Sequence, residues 1–294
     1  MPLLAACADS YGALSLDPSA GPPLGVGLVE QFRVDQVLCE SGIDGSCDPT
    51  NPPHLAVRVG SGSAVAIANV DQTTATFGAQ GAAEGSGTVV ITGGDDVTIQ
   101  RTIDVVALAQ TMLTVSRDTG SPVYSPVRAF TNASVTIDQA NLGAGGTAVA
   151  GKAPLVASSG LVAVSGDVVT TAATPGSVQI TAALATLELD VVDPSMMADF
   201  SIDGSRTDQV ILYTSTGTIA LSLLATDANG LPIVGGGPEP TFSIADPSIF
   251  GVTGGSGSGN TRELDVQGYA GGNTTMQVTW GQVTKTFAIS VVAR

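Results

Sequence analysis

Hydrophobic and polar side chains alternate with a period of two along most of this sequence, the spacing that turns one face of a β-strand toward a core. In Thr274-Thr275-Met276-Gln277-Val278-Thr279-Trp280 the side chains of Met276, Val278 and Trp280 fall on one face, and Thr275, Gln277 and Thr279 on the other. The next strand puts Phe287, Ile289 and Val291 on one face, so the two segments predict a hairpin. Similar pairs occur earlier: Gly87-Thr88-Val89-Val90-Ile91-Thr92 with Ile103-Asp104-Val105-Val106, and Gly176-Ser177-Val178-Gln179-Ile180-Thr181 with Leu189-Asp190-Val191-Val192. Each copy also opens alike, on Phe32-Arg33-Val34-Asp35, Leu113-Thr114-Val115-Ser116 and Phe200-Ser201-Ile202-Asp203. Self-similarity at this spacing is the mark of a tandem array.

Short strands and Gly/Pro turns in copies of this length predict β-sandwiches of roughly 100 residues. The boundaries divide the chain into residues 28–108, 109–193 and 194–294, after an N-terminal segment 1–27. The links near Ala107–Thr111 and Asp193–Met197 are short, which predicts a semi-rigid row of separate modules. Composition agrees with an all-β chain. Of 294 residues 43% are hydrophobic and only 12% charged, so solvent-facing positions fall mainly to Thr, Ser, Gly, Gln and Asn, and Thr and Val suit a pleated surface. Ten basic residues against 26 acidic ones, net −16, exclude a nucleic-acid surface. No apolar run approaches the ~18 residues of a membrane-spanning helix.

The opening Leu4-Ala5-Ala6-Cys7 resembles the lipobox of bacterial lipoproteins, in which the cysteine is acylated and becomes the mature N-terminus. Only six residues precede Cys7 and none is basic, unlike a full export signal. Asp9 to Gly27 is rich in Gly, Pro, Ser and Ala and reads as a flexible tether. With Cys7 taken by lipid, Cys39 and Cys47, which bracket a turn-rich loop, would pair in an exported protein.

The segment Ser243-Ile244-Ala245-Asp246-Pro247-Ser248-Ile249-Phe250-Gly251-Val252 resembles the signature of the bacterial immunoglobulin-like domains of group 2, the family also found in invasin and intimin stalks. Ala225–Gly230 before it and Gly268–Gly272 after it keep the family's order. Repeat two retains Ser158-Ser159-Gly160-Leu161-Val162-Ala163-Val164, and repeat one only Gly62-Ser63-Ala64-Val65-Ala66-Ile67. Phe242 stands where the family often has tryptophan. The resemblance implies tandem immunoglobulin-like sandwiches in an exported stalk or adhesive protein, and not an enzyme.

Enzyme chemistry has little to work with. The one histidine, His54, lies in a proline-rich loop, and no Gly-x-Ser-x-Gly elbow is present. Calcium is the one cofactor considered: Asp227 and Asn229 alternate oxygen side chains, Asp95 and Asp96 share a hairpin turn, and Asp193 and Asp199 flank the second link with Asp190 and Asp203. None matches the EF-hand spacing. Trp280 is read as core rather than as a sugar-stacking ring. The expectation is a lipid-anchored cell-surface protein, a spacer or adhesive stalk whose partner is a surface protein or glycan, with no membrane contact beyond the lipid. The alternatives are a self-assembling filament or virion fibre or decoration subunit, in which the Asp9–Gly27 tether or an exposed edge strand completes a neighbour's sheet, and a carbohydrate-binding accessory module.

Overall fold

The computed structural model describes residues 10–39, 47–116, 122–123, 125–202, 208–214, 217–256 and 260–293. Repeat one forms β1 (Ser10–Asp17), β2 (Leu24–Gly25), β3 (Val29–Cys39), β4 (Cys47–Thr50), β5 (Ala56–Ser61), β6 (Val65–Asp71), β7 (Thr76–Gly81), β8 (Gly85–Thr92) and β9 (Thr98–Val106). Repeat two forms β10 (Gln110–Ser116), β11 (Pro122–Val123), β12 (Val127–Phe130), β13 (Ser134–Thr136), β14 (Asp138–Leu142), β15 (Ala148–Val149), β16 (Val156–Ala157), β17 (Val162–Ser165), β18 (Val168–Thr171), β19 (Gly176–Ala182) and β20 (Ala185–Val192). Repeat three forms β21 (Asp199–Ile202), β22 (Gln209–Tyr213), β23 (Ile219–Thr226), β24 (Pro232–Val234), β25 (Thr241–Ile244), β26 (Phe250–Ser256), β27 (Arg262–Gly268), β28 (Gly272–Trp280) and β29 (Val283–Val292).

The repeated hairpins become one sheet built three times. Its strand order is β2-β9-β8-β5 in repeat one, β12-β20-β19-β16 in repeat two and β22-β29-β28-β25 in repeat three. In each, the first strand runs parallel to the second and the rest are antiparallel. The opposing sheet is β1-β3-β7-β6 in repeat one and β21-β23-β27-β26 in repeat three, while repeat two splits it into β10-β14 and β13-β18-β17. Inward residues of both sheets interleave, as in the stacked Phe32 and Phe77 of one layer over Val89, Ile91 and Ile103 of the other. The chain is all-β, a tandem set of immunoglobulin-like sandwiches.

The registers refine the sequence alignment. Gly85, Gly176 and Gly272 face Val105, Val191 and Val291, so Gly87 and Thr274 correspond to Val178 rather than to Gly176. A slip of two residues leaves every side chain on its own face, which is why the pattern tolerated it. The signature segment has a threefold role. The carbonyls of Ala64, Leu161 and Ile249 accept the N–H groups of Ala82, Ala172 and Tyr269, and each then starts a strand of the second sheet.

Two expectations change. Phe32 lies on β3, whereas the strand corresponding to β21 is β1, whose Leu14 and Leu16 point inward. The stretch Asp9–Gly27, read as a tether, therefore carries β1 and β2, with Leu24 buried as well. Its Leu-x-Leu alternation is a strand signal, and the Gly/Pro run is the crossover between sheets. Residues 1–9, Cys7 among them, lie outside the described residues. The three-segment division also differs from the compact units. One unit holds the described residues up to Met112 with Ala140–Ala153, and the other holds those of Leu113–Gln139 and from Pro154 onward.

Cys39 and Cys47 are disulfide-bonded at a sequence separation of eight, opposite each other on β3 and β4. Closing so short a loop stabilises by about 2–3 kcal/mol on the chain-entropy account. The pair Cys39→Ser/Cys47→Ser is expected to lower the stability of the first unit by that amount and to leave the second unchanged. Urea titration followed by hydrogen exchange in peptides of each unit checks this.

Candidate functional site at the junctions between repeats

The most distinctive arrangement lies where one repeat meets the next, and it is built the same way twice. Inside the first unit, Ala150, the residue after β15 of repeat two, forms a parallel bridge with Leu24 on β2 of repeat one. Gly25 N–H donates to the Ala150 carbonyl at 3.1 Å, and Ala150 N–H to the Pro23 carbonyl at 2.8 Å. Val29 and Lys152 exchange a further pair of backbone hydrogen bonds at 3.1 and 2.9 Å. Val149 then joins the core of repeat one. The turn of this hairpin is the glycine-rich Gly143–Thr147.

Inside the second unit, β24 of repeat three runs parallel to β12 of repeat two, with Arg128 opposite Ile233 and Ala129 opposite Val234. Because β12 also pairs with β20, and β24 with β23, the two repeats share one nine-stranded sheet. Their cores merge as well. Trp280, the only tryptophan, is buried with its ring centroid 5.8 Å from those of both Phe130 and Phe200. Gly151 and Gly235 end the two inserted hairpins at φ +92° and +87°, and a Cβ at either would press within 2.7 Å of Leu24 or Ala133. Only glycine suits both the conformation and the close approach.

Polar side chains hold the second junction. Arg128 on β12 forms an ion pair with Asp227 at the end of β23, and the Asp227 side chain is only 4% exposed. The same carboxylate accepts the N–H groups of Asn229 and Leu231, both at 2.8 Å. Asn260 acts as a one-residue strand: its amide accepts from Thr136 N–H at 2.7 Å and donates to the carbonyls of Ser116 and Thr136. Arg262 donates to the carbonyls of Gly236 and Gly237 and pairs with Glu239 at 2.9 Å.

The candidate calcium ligands do not come together. Asp227 is held by Arg128, and Asn229 donates its backbone N–H to that carboxylate. Asp199 pairs with Lys285, which also binds Asp208 and the Phe200 carbonyl. Asp193 caps the Pro194–Met196 turn through Ser195 N–H, and Asp203 lies outside the described residues. Among the described residues no group of three or more His, Cys, Asp or Glu side chains converges, and His54 is exposed. No helix among them is long and apolar enough to cross a membrane.

No protein-family model and no curated protein matches the chain. Among solved structures it is similar to domains 4–9 of the surface layer protein SbsC, at 14% identity over 89% of this chain and 42% of that one, with a TM-score of 0.30. It is also similar to FdeC, an Escherichia coli adhesin, at 18% identity over 95% of this chain and 96% of that one, TM-score 0.26. Invasin, a bacterial integrin-binding protein, matches at 13% identity over 97% and 60%, TM-score 0.27. The chain thus spans less than half the length of the first of these.

Elsewhere in the first unit a groove of about 610 Å³ runs beside β2 and β9, walled by Pro18, Pro22, Phe32 and Ile103 with Arg101 at its side. Lys285 rests over the rings of Phe200 and Phe287 at 5.8 and 5.9 Å. Burial disfavours its charge, and hydrogen bonds to Asp208 and Asp199 outweigh that, so its pKa is raised. Three carboxylates titrate below the ordinary aspartate value: Asp71 through the backbone N–H of Thr73, Asp193 through that of Ser195, and Asp246 through the Ser248 hydroxyl. Groups with a depressed folded pKa add stability that is present above the unfolded value, ~3.9, and is lost as pH falls through the folded one. Thermal stability is expected to drop as pH goes below about 4, and Asp71→Asn, Asp193→Asn and Asp246→Asn together to blunt that drop. Melting curves from pH 7 to 2 at high salt, which screens the net charge, provide the check.

Proposed function

We propose that the chain is a non-enzymatic structural or adhesive protein of the bacterial cell surface, a spacer or interaction stalk made of immunoglobulin-like modules. The observation that carries this reading is the junction. At each, a hairpin of the later repeat is hydrogen-bonded into a strand of the earlier one, so tension along the chain meets backbone ladders and a buried ion pair. The disulfide in the first unit fits an oxidising, exported setting. The acidic balance keeps such an array soluble and repels anionic partners. The lipobox-like Cys7 supplies the anchor in this reading, and loops at the far repeat meet a surface protein or a glycan. A carbohydrate-binding role has less behind it, since Trp280 is buried.

The test is mass spectrometry of the protein taken from its native membranes. A diacyl or triacyl group on an N-terminal Cys7, together with cleavage of the protein by protease added to intact cells, is the expected result. An unmodified Cys7 in a protein shielded within intact cells would overturn the surface reading.

A further inference from the structure

One cation in the first unit stands where the fold otherwise puts apolar side chains. On β9 the residues Ile99, Arg101, Ile103 and Val105 share the inward face, and the three apolar ones belong to or pack against the core of repeat one. The hairpin registers give the counterparts of Arg101. It faces Val89, as Leu187 faces Ile180 in repeat two and Phe287 faces Met276 in repeat three. Leu187 and Phe287 are fully buried. Arg101 is half-buried, and its Nε is buried with no hydrogen-bond partner. Arg128 at the second junction has Asp227; among the described residues Arg101 has no such carboxylate. A buried donor of this kind without an acceptor costs stability.

Arg101 lines the groove of about 610 Å³ in the first unit, which lies between the two sheets of repeat one. Glu30 and Phe32 of β3 enter it from one sheet, Arg101 and Ile103 of β9 from the other, and the crossover Pro18–Pro23 forms a third wall. All lining residues belong to the first unit and are among the described ones. Strand β1 runs from Ser10 beside Cys39 to Asp17 beside Arg33, and the groove lies at the Asp17 end. Its volume falls within the roughly 300–1,000 Å³ of small-molecule sites, which are mostly apolar with a few convergent polar groups. The prolines fix the backbone of the outer wall.

We propose that this groove binds a small monocarboxylate with an apolar body. The carboxylate accepts from the Arg101 guanidinium, whose planar fork matches it in two parallel hydrogen bonds. The body lies along Phe32, Ile103 and the proline wall. Two acidic residues also line the groove: Glu30, two positions before Phe32 on the same side of β3, and Asp104, whose carboxylate accepts from the Ser86 hydroxyl. With a chain charge of −16 they repel a dianion such as sulfate, so a single charge is selected. This inference goes beyond the stalk reading and does not depend on it.

NMR titration of the full, isotope-labelled chain tests it with three probes. Hexanoate carries both features, hexanamide the body without the charge, and sulfate the charge without the body. Hexanoate is expected to bind with a Kd of about 1 mM or below, shifting the amides of Phe32 and Arg101–Asp104 and leaving those of β28 and β29 in place. Hexanamide and sulfate should each bind at least about tenfold more weakly. Arg101→Leu installs the residue that repeat two has at this place. It should weaken hexanoate binding at least about tenfold and melt no lower than the native protein, because it removes the unmatched donor. Arg101→Lys keeps the charge without the fork and should bind several-fold more weakly than the native protein, which keeps the test decisive if the leucine variant fails to fold. Glu30→Gln should bind hexanoate at least as well as the native protein, and sulfate better. Hexanoate shifts that do not saturate by about 50 mM, shifts that hexanamide reproduces, or shifts that both Arg101 variants leave unchanged would each overturn the proposal. A loss of stability in both Arg101→Leu and Glu30→Gln, without hexanoate binding to the native chain, would overturn it too and show the two side chains to be paired with each other.

Discussion

Replacing Trp280 with alanine is expected to destabilise the second unit by about 3–5 kcal/mol, the range for removing a buried aromatic from a packed core. Trp280 is 1% exposed, lies 5.8 Å from the rings of Phe130 and Phe200, and donates from Nε1 to the Pro238 carbonyl at 2.8 Å. Truncation opens a cavity between residues of two repeats and leaves a half-buried carbonyl without its donor. Against a typical total of 5–15 kcal/mol that is a large share. Hydrogen exchange locates the effect: peptides covering β21, β28 and β29 should lose protection, while those covering β7 and β8 keep it. Trp280→Phe separates the two causes, since it retains a ring and loses mainly the hydrogen bond, a cost of about 1–2 kcal/mol. Because Phe130 belongs to repeat two, β12 should lose protection together with β28. Protection kept in β12 would mean that the two repeats unfold separately.

Much of this fold was legible in the sequence, and the reason is specific. The final hairpins alternate cleanly, Met276-Gln277-Val278-Thr279-Trp280 against Phe287-Ala288-Ile289-Ser290-Val291, because one face is buried and the other meets water. A period-2 pattern records that division directly. The signature segments aligned for a comparable reason, as each carries the same backbone hydrogen bond into the turn that follows. The beginning of repeat one was harder. Its first strand is followed by the proline-rich crossover Pro18–Pro23, and composition there outweighed the Leu14–Leu16 alternation.

The junctions were scarcely legible. Whether the segment after a short hairpin, such as Ala150–Lys152 after β15, also pairs with the repeat before depends on contacts that local pattern does not encode. One signal was present. In a chain with ten basic residues, Arg128 sits inside the otherwise apolar Val127-Arg128-Ala129-Phe130, and an arginine in such a strand calls for a buried acceptor. Asp227 drew notice for its oxygen atoms, which suit a metal ion and a guanidinium equally. Only placement decides between the two.

That pair sets the second large effect. Asp227→Ala is expected to cost about 3–5 kcal/mol, the range for breaking a buried ion pair from one side. The Asp227 side chain is 4% exposed and that of Arg128 24%, so the arginine would be stranded with limited access to water. The turn at Asn229–Leu231 would lose its acceptor as well. Arg128→Ala leaves the more buried partner charged and should cost a similar amount. Replacing both, as Arg128→Met with Asp227→Leu, should recover most of the loss of charge, because well-packed apolar pairs commonly equal or exceed a buried ion pair. The backbone donors of the turn would remain unmet, so recovery should stop short of the native value by about 1–3 kcal/mol. Trp280, the only tryptophan, lies in the same unit, so its fluorescence in a urea titration reports these changes directly. If the single substitutions simply add in the double variant, the two groups do not interact, and Arg128 holds the junction through its aliphatic stem instead. If the double variant recovers, the ion pair sets which strand Asp227 may face more than it adds stability.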